Sequence, residues 1–119
     1  MAKITLKAKS SSRPDPYLVV FVWNNETLSV SCDCPAGEVG HLCKHKLALL
    51  QNDSSILYDA AQSDDLRKAF TWVQSTSLPS LLKELEETER QTEKTIALAK
   101  KQLASIKQKV GRLLKEGLE

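Results

Sequence analysis

All three cysteines and both histidines of this 119-residue chain fall in one stretch, SCDCPAGEVGHLCKHKLALL, residues 31–50. Cys32 and Cys34 stand one residue apart, and Cys43 and His45 repeat that spacing after a gap of eight residues. Thiolate sulfur and neutral imidazole nitrogen are the donors that Zn2+ prefers, and four of them close a tetrahedral structural site. An odd number of cysteines argues against a disulfide framework. The aromatic residues are only Tyr17, Phe21, Trp23, Tyr58, Phe70 and Trp72, so any core is small. A core of that size usually needs a metal or a partner chain to be stable. The stretch therefore predicts a fold built around a metal, with Cys32, Cys34, Cys43 and His45 as its donors. His41 is the alternative fourth donor; its place in a glycine-flanked loop suits a solvent-facing or supporting position better.

The flanking segments read as a sheet followed by helices. Residues 3–9, KITLKAK, alternate Ile4, Leu6 and Ala8 with Lys3, Lys7 and Lys9, the period of a strand with one wet, basic face. SSSRPDP, residues 10–16, cannot continue a ladder. YLVVFVW, residues 17–23, is rich in β-branched and aromatic residues and predicts a central strand. Asn24-Asn25-Glu26 predicts a tight turn, and TLSVSC, residues 27–32, the returning strand. Pro35-Ala36-Gly37 turns the chain off the sheet. The leucine spacing after Cys43 predicts a short helix from Lys44 to about Gln51.

Beyond residue 52 the signals are helical. Ser63 reads as a helix N-cap followed by Asp64 and Asp65, with Leu66, Ala69, Phe70 and Val73 as one apolar face. Ile56, Leu57 and Tyr58 are expected to pack against the metal module. From Ser80 onward good helix formers dominate, and a seven-residue apolar repeat runs through Leu82, Ile96, Leu103 and Val110 at one position and Leu85, Ala99, Ile106 and Leu113 at the other. Glu89 and Thr92 interrupt it. A helix over 80–116 would reach roughly 55 Å, far beyond a module of this size, which predicts a coiled coil. Residues 83–93 hold two basic and five acidic groups, and residues 94–115 hold seven basic and no acidic group. That asymmetry favours an antiparallel homodimer over a parallel one, because like charges would otherwise lie side by side.

The expected class is α+β: a small zinc-stabilised antiparallel sheet with a short helix (ββα plus an N-terminal strand), then a short helix and a long C-terminal helix. Residues 1–52 form the metal module, 53–79 a helical connector and 80–119 the long helix. No apolar run is long enough to span a bilayer, and the N-terminus lacks the apolar core of a signal peptide, which predicts a cytoplasmic protein.

The motif SCDCPAG…HLCKHKLAL resembles the SWIM-type zinc finger, whose pattern is C-x-C, a variable gap, then C-x-H; the resemblance covers residues 17–52. It implies that Cys32, Cys34, Cys43 and His45 hold zinc and that the module binds DNA or protein; it does not by itself imply catalysis. Two readings of function follow. In the first, Lys3, Lys7 and Lys9 join Lys44 and Lys46 in one basic face, Lys100, Lys101 and Lys107 add a basic helix surface, and the module binds nucleic acid and/or a protein partner while the long helix oligomerises. In the alternative, the chain is purely a protein–protein adaptor subunit of a larger complex. No carboxylate pair, glycine-rich phosphate loop or nucleophile motif points to an enzyme.

Overall fold

The computed structural model describes residues 1–119. The chain divides into two compact units, Met1–Pro79 and Ser80–Glu119. No helix is long and apolar enough to cross a membrane.

The first unit is organised by a three-stranded antiparallel sheet in the order β1 (Ala2–Ala8), β2 (Tyr17–Asn24), β3 (Thr27–Cys32). Its register pairs Leu6 with Val19 and Val19 with Cys32, and Ile4 with Phe21 and Phe21 with Val30. Because side chains alternate across a strand, this register puts every large apolar residue of β1 and β3 on the same face as Val19, Phe21 and Trp23. Leu6, Ala8, Val19 and Phe21 are fully buried there. The two central residues of the β2–β3 hairpin, Asn25 and Glu26, have φ of 49° and 64°. A two-residue loop with both φ positive matches the right-handed twist of the strands it joins. Asn tolerates that conformation, whereas Glu26 adopts it at a cost.

Two short helices follow, α1 (Pro35–Glu38) and α2 (Lys44–Leu50). The expected turn at Pro35-Ala36-Gly37 is thus closed into one helical turn, with Pro35 at its first position, where a missing N–H costs nothing. His45, Leu49 and Leu50 of α2 are buried. Residues 53–62 then return to the sheet as two 3-10 turns, Ser54–Ile56 and Ala60–Gln62. Lys9 N donates to Ile56 O at 2.8 Å and Tyr58 N to Lys7 O at 2.9 Å. The Gln62 amide completes the cover: Lys7 N donates to its Oε1 at 2.9 Å and its Nε2 donates to Thr5 O at 3.1 Å. A side chain here takes the place of a fourth strand and satisfies backbone groups that an open edge would expose. Leu57 is buried as expected, but the Tyr58 side chain is 52% exposed.

Helix α3 (Ser63–Gln74) buries Leu66, Ala69 and Val73, and half-buries Phe70. Ser63 does not cap it. The preceding 3-10 turn runs straight into the helix, so Ser63 has helical φ −57° and ψ −37°, and its hydroxyl donates to Ala60 O. Trp72 of α3 stacks on Trp23 of β2, centroids 6.3 Å apart and planes at 16°. Residues 53–74 therefore lie in the same compact unit as the sheet, closing its edge and its inner face.

Helix α4 spans Leu78–Glu116, 39 residues, with Pro79 in its first turn. Ile96, Leu98, Leu103, Ile106, Val110 and Leu114 on it are all at least 49% exposed.

Candidate metal centre

The sheet register places Cys32 at the inner end of β3, buried against Val19. Two backbone amides then shape a pair of matching loops. Cys34 precedes α1 and its Sγ accepts from Gly37 N at 3.3 Å; Cys43 precedes α2 and its Sγ accepts from Lys46 N at 3.3 Å. Each cysteine thus occupies the N-cap position, with sulfur in the role usually taken by Ser or Asp oxygen. Asp33, between the first two cysteines, clips that corner to the sheet: its Oδ1 accepts from Leu18 N at 2.8 Å and its N donates to Leu18 O at 3.2 Å. Gly37 sits directly on the backbone of Cys32, where an added Cβ would lie 2.4 Å from the Cys32 carbonyl oxygen.

One donor atom from each of Cys32, Cys34, Cys43 and His45 lies within 4.8 Å of all the others. Cys32 Sγ and His45 Nδ1 are 3.9 Å apart. Two sulfurs bonded tetrahedrally to one zinc at about 2.3 Å are separated by about 3.8 Å, so the cluster has the size of a single tetrahedral coordination shell. All four residues are at most 5% exposed, and none of the thiols is in a disulfide. His45 Nε2 is buried without a hydrogen-bond partner of ordinary geometry. Three buried thiols around a buried imidazole are a costly arrangement for a core and a natural one for a metal.

The electrostatics agree with that use. Burial pushes the Cys32 thiol up to about 12, reinforced by the neighbouring thiols of Cys34 and Cys43 and opposed by the Cys34 backbone amide. Burial acts the same way on Cys34, but the Gly37 amide, the Cys32 and Cys43 thiols and the Ala36 amide together outweigh it and hold Cys34 below its ordinary value. Cys34 is therefore the first of this pair to ionise. Burial, and then the charge of Lys44, lower the pKa of His45, partly offset by the Lys9 backbone and Asp33. His45 is neutral at pH 7, the form that binds metal. Its ring is also held from outside: Tyr17 packs on it at 4.9 Å between centroids, and the Arg13 guanidinium lies 3.9 Å from the Tyr17 ring centroid.

His41 is exposed in the loop between α1 and α2 and takes no part, so the fourth donor is His45. The Asp33 clip, the Tyr17–Arg13 stack and the fit of Gly37 went unread in the sequence. Only Pro35, directly after Cys34, hinted that a helix starts there.

Lys3 and Lys7 share the outer face of β1 with Thr5, and Lys9 follows in the same alternation; all are exposed. Lys44 opens α2, whose His45 meets Cys32 on the inner side of the sheet, and its Nζ donates to Ser11 Oγ at 2.7 Å. Lys46 is 8% exposed and so withdrawn from any open surface. Lys100, Lys101 and Lys107 are exposed on α4 in the second unit. The seam residues Ile96, Ala99, Leu103, Ile106 and Val110 are exposed, and Leu82, Leu85 and Leu113 are half-buried.

Residues 19–53 match the family model described as SWIM zinc finger. No curated protein and no solved structure matches the chain. The matched segment contains all four donors, both helices that position them and all but the first two residues of the hairpin. Donor chemistry, cluster size and family match converge on one conclusion: residues 19–53, which match the SWIM zinc finger, hold a three-cysteine, one-histidine group built to bind zinc.

Proposed function

We propose that the finger is a non-catalytic module that docks a protein partner on the outer face of its sheet. The observation that carries this is the composition of that face. Its central strip is apolar, with Leu18 40% exposed and Val20 and Val22 half-buried. The register sets Lys3 opposite Val22 and Lys7 opposite Leu18 on one side, and Ser29 and Ser31 opposite Val22 and Val20 on the other. An apolar strip edged by lysines and hydroxyls, with no acidic side chain on β1 or β3, complements a partner with an apolar ridge and acidic flank. The metal centre supports a non-catalytic reading, since four protein donors leave no coordination position for water or substrate. Zinc in such a site supplies structure: it ties β3 to α1 and α2 and so holds the sheet that presents the face.

The test compares proteins recovered with the tagged full-length chain and with a Leu18→Asp/Lys7→Glu variant of unchanged zinc content and melting temperature. A partner lost specifically from the variant supports the reading. Identical recovery with both sinks it.

A second reading, nucleic-acid binding, rests on a different observation: the seven basic and no acidic residues between Lys94 and Lys115, all exposed on α4. Lysine and arginine contacts to phosphate release counterions, so binding of this kind weakens steeply with salt. Titration of single- and double-stranded DNA and RNA at two salt concentrations tests it, and absent or salt-independent binding removes it.

A further inference from the structure

We propose that α4 pairs with α4 of a second copy of this chain, antiparallel, about a centre between Ala97 and Leu98. This inference concerns the second unit and does not depend on what the finger binds. Ile96, Leu103, Ile106 and Val110 are 49%, 55%, 59% and 50% exposed. They recur at the two alternating positions of a seven-residue repeat and make one continuous apolar stripe on the helix. A helix of 39 residues with such a stripe open to water is incomplete alone.

Charge identifies the second copy as the occupant and sets its direction. Glu86, Glu93, Lys100 and Lys107 follow one another at the same position beside the stripe, seven residues apart, and all are exposed. In an antiparallel pair this row faces its own copy reversed. Glu86 then meets Lys107 and Glu93 meets Lys100, and the twofold axis repeats both pairs. The apolar layers become Leu82 with Leu113, Leu85 with Val110 and Ile96 with Ala99. The two polar interruptions are absorbed, since Glu89 falls against Ile106 beside Lys107, and Thr92 against Leu103. A parallel pair instead stacks Glu89 on Glu89 inside the seam and lays the acidic segment on the acidic segment. Exposed ion pairs contribute little individually, but four pairs gained in one direction and a like-charge layer avoided decide between two otherwise similar stripes.

The test uses the full-length zinc-bound protein. Sedimentation at tens of micromolar should give a dimer. Two single variants, Leu85→Cys and Val110→Cys, are oxidised separately and mixed. In the antiparallel pair a Val110 residue lies about 37 Å along the axis from its own copy, at about 1.5 Å per residue, but directly opposite Leu85. Each variant alone should therefore stay uncrosslinked, and the mixture should yield a disulfide-linked dimer. Glu86→Lys/Glu93→Lys, which reverses the four pairs without touching the stripe, should weaken the dimer at least about tenfold. A monomer, a trimer, or crosslinking of Val110→Cys with itself would each overturn the proposal. So would unchanged dimerisation of the charge-reversed variant.

Discussion

Replacing Gly37 with alanine tests whether the metal centre is shaped by a backbone contact as well as by its ligands. Gly37 needs no left-handed backbone, so conformational freedom does not explain it. Space does. The added methyl would stand 2.4 Å from the Cys32 carbonyl oxygen, 2.8 Å from Cys32 Cβ and 3.0 Å from its carbonyl carbon. These atoms cannot rotate away: Cys32 is held by pairing with Val19 and is itself a zinc ligand. Relief requires α1 to lift off the end of β3, and α1 carries the Gly37 amide that donates to Cys34 Sγ. Overpacking against yielding side chains costs about 1–3 kcal/mol, and against backbone the upper end applies, about 3 kcal/mol. A total stability of roughly 5 kcal/mol, the lower end for a domain, would be more than halved. Loss of an orienting hydrogen bond to a ligand typically lowers metal affinity about 10- to 100-fold. Urea unfolding of the zinc-loaded protein and competition with a chromophoric chelator read the two effects. Gly111→Ala is the control, since nothing lies within 4 Å of its Cβ and it sits inside α4. That change should stabilise the helix by about 0.5–1 kcal/mol. A Gly37→Ala protein with wild-type midpoint and wild-type zinc affinity would refute the reasoning.

Three further outcomes are expected. Cys32→Ser, or chelation of the wild type, should unfold the first unit, because structural zinc contributes about 10–16 kcal/mol in small fingers, more than such a core can supply. The Trp23–Trp72 stack provides a fluorescence signal for that loss, and a folded, metal-free variant would contradict it. Zinc affinity should fall as pH falls. The Cys32 thiol titrates near 12, so it is protonated throughout pH 6–8 and must release its proton on binding; that residue alone accounts for about a tenfold loss per pH unit. His45, with its pKa lowered, is already neutral at pH 7 and adds its own proton competition only in acid. Chelator competition across that range measures the slope, and a flat profile would show that the cysteine donors are already ionised without the metal, against the direction given for Cys32. Finally, Glu26→Gly should raise stability by about 1 kcal/mol by relieving the positive φ of 64°. Denaturant midpoints decide this, and a destabilised variant would mean that the hairpin turn differs from the one described.

Much of the architecture was legible because local periodicity encodes local backbone. Alternation in KITLKAK and TLSVSC specified strands, the Asn pair specified the hairpin, and the leucine spacing after Cys43 specified α2. The donors were legible because soft ligands at paired one-residue spacing have few other uses. Boundaries were less so: α4 begins at Leu78, two residues before the expected Ser80, since Pro79 is accepted in a first turn.

The sequence by itself therefore determined the metal, most of its ligands and the order of strands and helices. Tertiary structure alone decided the rest. It chose His45 over His41 by burying one and leaving the other in solvent. It buried Lys46, so the five lysines close in pattern do not all stand on open surface. It used the Gln62 side chain as a strand, and pressed Gly37 onto Cys32. The reason is common to all four. Spacing along a chain fixes which side of an element a residue occupies, but only the crossing of distant segments fixes what that side meets.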